Sequence, residues 1–99
     1  MTDITLYISI QDLCDSERIE QAVVVDIVEY GIASPIRADE DEAYVFDVEN
    51  AYWLKKALQL KKELEIDWVA TALAIELMKQ NEVLRRENQS LQQKLQRFI

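Results

Sequence analysis

The chain has 99 residues, a net charge of −8, one cysteine and no histidine. That length suits one domain with a small core, and the missing histidine removes the commonest general base and metal ligand. With Cys14 as the single cysteine, an intramolecular disulfide is excluded, a zinc site within one chain is disfavoured and a reducing, cytoplasmic compartment fits. The charge is uneven: residues 1–50 carry thirteen acids and two bases, residues 51–99 six acids and nine bases. An acidic N-terminal half disfavours nucleic acid and anionic membrane, because phosphate binding needs Lys and Arg, and it suits a basic protein surface. No signal peptide is expected, and no apolar run is long enough to span a bilayer.

In chain order, Ile4–Ile10 alternates apolar and polar residues and predicts a short strand. Ser9 is placed to cap a short helix over Ile10–Cys14, and Asp15–Arg18 reads as a polar break. Ile19, Val23, Ile27 and Tyr30 recur at helical spacing and predict a second helix over Ile19–Tyr30. The β-branched Val23–Val25 run weakens that helix locally. Gly31, the one glycine, stands where a left-handed residue closes a helix, and Ala33-Ser34-Pro35 turns the chain. Ile36–Phe46 reads as a hairpin with Asp39, Glu40, Asp41 and Glu42 at its tip, kept in solvent by mutual repulsion. Asp47 caps a third helix over Val48–Leu64, on which Tyr52 and Trp53 adjoin and cannot share a face. Glu65-Ile66-Asp67 breaks it, and Asp67 caps a fourth.

The last third, Asp67–Ile99, contains no Gly or Pro. Leu77, Leu84, Leu91 and Phe98 fall seven apart at heptad position d, with Ala74, Asn81, Asn88 and Leu95 at a. A helix over Asp67–Phe98 is roughly 48 Å long, too long for a body of sixty-odd residues to cover. The expected organisation is a body over 1–66 and a long helix over 67–99. That helix packs on the body at its start through Trp68, Val69, Ala72, Leu73 and Leu77 and carries the seam towards its end. Leu77, Asn81, Leu84, Asn88, Leu91, Leu95 and Phe98 are therefore the candidates for self-association as a homodimer. Buried Asn at a would fix register; the alternative is that both asparagines face water beside an unused seam.

Strand, helix-turn-helix, Gly-terminated helix, two-stranded wing, helix and long C-terminal helix is the order of a MerR-like winged helix-turn-helix. The expected fold class is mainly α (α+β) with a small β-wing. Within that class the chain resembles the CbpM family of chaperone-modulatory proteins. The resemblance is carried by Ile10-Gln-Asp-Leu-Cys14, by Val28-Glu-Tyr-Gly31 with Pro35 following, and by Tyr44-Val-Phe-Asp47. It is carried further by Leu60-Lys-Lys-Glu-Leu-Glu-Ile-Asp-Trp68, Leu73-Ala-Ile-Glu-Leu-Met78, Glu87-Asn-Gln-Ser-Leu91 and Leu95-Gln-Arg-Phe98. The chain departs at Asp15-Ser-Glu-Arg18, where a Gly-containing turn is common in the family. The resemblance implies binding to the J-domain of a DnaJ-like co-chaperone of the CbpA type. It implies that this binding blocks stimulation of the Hsp70 ATPase, opposes the co-chaperone's association with DNA and involves no chemistry.

A helix-turn-helix also invites a MerR-type transcriptional regulator as the alternative. Here the second helix carries Glu20, Asp26 and Glu29, with no base beyond Arg18 at its edge, and the wing tip carries four acids. A DNA backbone would repel both. Any one of these acids alone is a solvated surface residue. As a cluster, Glu20, Asp26, Glu29, Asp39, Glu40, Asp41 and Glu42 are the partner-binding candidates, because the resemblance supplies a partner with a basic helix. No catalytic, cofactor-binding or metal-ligating residue is expected.

Overall fold

The computed structural model describes residues 7–38 and 44–98. Strand β1 (Tyr7–Ser9) leads directly into helix α1 (Ile10–Glu17), and helix α2 (Gln21–Glu29) follows. Strands β2 (Arg37–Ala38) and β3 (Tyr44–Asp47) form the wing. Helix α3 (Val48–Leu64) and the long helix α4 (Trp68–Gln96) complete the mainly α, MerR-like fold. The sheet has three antiparallel strands in the order β1-β3-β2, with Ile8 opposite Phe46 and Arg37 opposite Val45.

Three side-chain caps set where helices begin. Ser9 Oγ accepts from the Asp12 amide at 3.2 Å, so Ile10 starts α1 instead of ending the strand. The rest of the expected strand, Ile4–Leu6, lies outside the described residues. Asp47 and Asp67 each accept at 2.8 Å from the amide three residues on, Asn50 and Ala70, and so open α3 and α4.

Left-handed residues set where three helices end. Arg18, at φ 55°, closes α1; the helix therefore runs through Asp15, Ser16 and Glu17 and is not broken by them. Those polar side chains face outward, where they leave the helix ladder intact. Gly31, at φ 73°, closes α2 in a Schellman arrangement: Ile32 N–H bonds Ile27 O and Gly31 N–H bonds Val28 O. Glu65, at φ 52°, closes α3. Helix α2 begins at Gln21, two residues later than the periodicity predicts, because Glu20 is the extended N-cap. Its Val23–Val25 run is helical all the same, since Val24 and Ile27 are fully buried and packing outweighs the small helix penalty of valine.

The core draws on every helix: Ile10 and Leu13 of α1, Val24 and Ile27 of α2, Phe46 of β3, Trp53 and Leu54 of α3, and Ile75 of α4. On α3 it is Trp53 that turns inward, while Tyr52 stays half exposed against its edge at 4.9 Å. Trp53 is thus a core residue and not a candidate contact for a partner. An ion pair between Glu17 and Lys55, 3.6 Å, joins α1 to α3.

Helix α4 docks by a face the heptad reading did not select. Thr71 and Ile75 are buried, Trp68, Ala72 and Met78 pack beside them, and the Thr71 hydroxyl is satisfied by Asp67 O at 2.7 Å. Val69, Leu73 and Leu77, expected on the body, are instead 65, 59 and 57 % exposed. The reason is helical geometry: at about 100° per residue, Leu73 and Leu77 lie nearly opposite Ile75 and Thr71. Lys79 secures the docking, donating to Ile32 O at 3.2 Å while lying 5.5 Å from the Trp53 ring centroid.

Candidate protein-interaction surfaces

Two surfaces gather the sequence candidates. The first is the solvent face of α2. Ala22 and Glu29 are exposed, Val25 and Asp26 are half-buried, and Tyr30, just past the helix, is exposed. Asp26 and Glu29 are three residues apart, about 60° on the helix, so their carboxylates share this face. Glu20 does not join them. It occupies the N-cap and makes no side-chain capping bond. The tip acids Asp39, Glu40, Asp41 and Glu42 lie outside the described residues. The helix presents a small aliphatic centre flanked by negative charge, and it carries no Lys or Arg.

The second surface is the outward face of α4. Leu77, Leu84, Leu91, Leu95 and Phe98 are all exposed, and Phe98 is 88 % so. Asn81 and Asn88 are exposed beside them. Sequence reasoning missed the proximal extension of this stripe, Val69 and Leu73, by assigning it to the core. The signal that finds it is spacing: Leu73, Leu77, Leu84, Leu91 and Leu95 are separated by four, seven, seven and four residues, symmetric about Leu84. Beyond Glu82 every described residue of α4 is exposed, so the distal half rests on nothing in its own chain.

Cys14 is half-buried; desolvation, with the negative charge of Asp15 adding to it, pushes its thiol up from the ordinary value and away from thiolate chemistry. Among the described residues no group of three or more His, Cys, Asp or Glu is placed to hold a metal ion. No helix among them is long and apolar enough to cross a membrane.

A helix-turn-helix, a two-stranded wing and a long terminal helix in this order are matched by the profile of the MerR HTH family regulatory proteins over residues 8–93. Curated relatives carry the match over nearly the whole chain. Chaperone modulatory protein CbpM of Pseudomonas putida is 39 % identical over 93 residues, 93 % of this chain and 90 % of the relative. The CbpM proteins of Citrobacter koseri and Salmonella paratyphi B are 32 and 34 % identical, each over all of this chain and 97 % of the relative. The chain belongs to the CbpM family. Its names are those of regulatory and modulatory proteins and not of enzymes. Within the CbpM framework α2 stands where a DNA-reading member of the wider MerR class carries its recognition helix, yet its exposed charges are carboxylates.

Proposed function

We propose that this protein is a cytoplasmic chaperone modulator that binds the J-domain of a CbpA-type co-chaperone and inhibits its co-chaperone activity by covering the surface that meets Hsp70. The observation that carries the reading is the near full-length likeness to proteins named chaperone modulatory protein CbpM. The chemistry of α2 supports it: Asp26 and Glu29 flank a small apolar centre in the position from which a DNA-binding relative would contact phosphate. A basic helix is attracted to such a face and a duplex is repelled. Glu20 and Asp39 through Glu42 add to the long-range field of the acidic half. We propose further that the body over 1–66 is the partner-binding unit. The helix over 67–99 then pairs two copies through Leu77, Asn81, Leu84, Asn88, Leu91, Leu95 and Phe98.

Surface plasmon resonance against the cognate J-domain tests the binding. Neutralising Asp26 and Glu29, or Asp39 through Glu42, is expected to slow association, and wild-type association is expected to fall as ionic strength rises. If neither variant nor salt changes the kinetics, the acidic face is a solvated surface only. In parallel, a gel shift with promoter and random duplex at physiological salt is expected to show no complex. A sequence-specific shift at submicromolar protein would return the chain to the transcriptional regulators.

A further inference from the structure

We infer that Glu76 and Lys94 are the charges that orient a second copy on α4, the Glu76 carboxylate of each chain meeting the Lys94 ammonium of the other in an antiparallel pair; this inference deepens, and rests on, the self-association proposed above. Glu76 lies beside the proximal end of the apolar stripe and Lys94 beside its distal end. Both are exposed, and among the described residues neither is held in an ion pair. Lys79, one turn on from Glu76, turns its ammonium to the body instead, onto Ile32 O and the Trp53 ring.

Helical geometry places the two charges together only across chains. Positions 76 and 94 are separated by five full turns at about 100° per residue, so both sit on the same edge of the stripe, about 80° round the helix from Leu84. Along the axis Glu76 is about 12 Å before Leu84 and Lys94 about 15 Å after it. The stripe matches itself about that point: Leu73 with Leu95, Leu77 with Leu91 and Leu84 with its own copy, all of them exposed. A two-fold axis between the helices at Leu84 turns one copy end for end and sets each edge against the same edge of the other. Lys94 of the second copy then stands about 3 Å along the axis from Glu76, within reach of its flexible four-carbon stem. Further along this edge Glu87 comes level with Gln80 of the second copy, so no like charges meet there. Parallel pairing supplies neither contact, since it sets opposite edges together and leaves Glu76 and Lys94 about 27 Å apart along the axis.

The experiment is sedimentation equilibrium of the full chain at low and high salt, with circular dichroism to verify the helix content of each variant. Glu76→Lys and Lys94→Glu, each alone, replace two attractions by two repulsions. Each is expected to raise the Kd of self-association about tenfold at low ionic strength, and the difference should shrink as salt rises. An equimolar mixture of the two variants restores opposite charges at both contacts, and so does the double variant; both are expected to associate as wild type. Lys62→Glu, on the exposed surface of α3, is expected to change nothing. Single variants that associate as wild type, or a mixture that associates no more tightly than either variant alone, would overturn the ion pair while leaving self-association standing. A wild-type chain that stays monomeric throughout would overturn both.

Discussion

Arg18, Gly31 and Glu65 are the three described residues with left-handed backbone, and each closes a helix. For an L side chain that conformation costs roughly 1–2 kcal/mol; Gly31 escapes the cost and the other two bear it. Opposite signs are therefore expected at equivalent positions. Gly31→Ala should destabilise by about 1 kcal/mol, from the backbone alone because the site is open, whereas Arg18→Gly and Glu65→Gly should each stabilise by about 0.5 kcal/mol. Urea unfolding at unchanged m reads both, and a destabilised Glu65→Gly would contradict the argument. At Cys14 the raised thiol pKa means that the folded chain holds the proton more tightly than the unfolded chain. This favours the fold below the unfolded thiol value, and the contribution is lost as pH rises towards the folded value. Alkylation of the native protein near neutral pH should accordingly be slower than that of a free thiol and should accelerate in alkali. Equal rates would mean that the thiol is fully solvated.

Helix α4 has two apolar faces, one buried on the body and one exposed. Ile75 is 1 % exposed on the body face; Leu84 and Leu91 are 63 and 58 % exposed on the outer one. Ile75→Ala is expected to cost about 2–4 kcal/mol of fold stability, the loss of a fully buried aliphatic side chain. Leu84→Asp with Leu91→Asp should leave the body folded by circular dichroism but abolish assembly in sedimentation, because unpaired carboxylates cannot be buried at a paired seam. A wild-type chain that stays monomeric at high concentration would rule pairing out.

At the scale of the whole molecule, the symmetry of the stripe suits an antiparallel form of the proposed pairing. The stripe is symmetric about Leu84, so an antiparallel partner places Leu73 against Leu95 and Leu77 against Leu91. Such a pair would lay each distal half, bare in its own chain, on the other's uncovered proximal face. In a Cys14→Ser background, Leu84→Cys should form an interchain disulfide under mild oxidation. Leu77→Cys should not, because antiparallel copies of that residue stand about 21 Å apart along the axis. Efficient cross-linking through Leu77→Cys would instead establish a parallel pair.

Local chemistry made much of this architecture readable in advance. Asp47 and Asp67 as caps, Gly31 as the Schellman residue and the bounds of α3 follow from interactions within a few residues, which the chain carries wherever it folds. The acidic half and the seven-residue leucine spacing are likewise properties of the chain itself. Tertiary structure decided what those local rules leave degenerate. A helix with apolar residues on opposite sides has two ways to dock, and the pocket offered by Trp53, Leu54 and Ile32 accepted Ile75 and Thr71, sending Leu73 and Leu77 outward. Arg18 in place of a glycine cap gave no sign that α1 would run to Glu17, because strain at one residue was outweighed by the helix turn and contacts it permits. A cleft of about 420 Å³ between Tyr30, Gly31 and Ile32 and the Ala72 to Lys79 stretch of α4 belongs to neither segment that lines it. Residues 30–32 and 73–79 become one surface only when α4 lies down on the body, and burial of Ile75 is the force that lays it there.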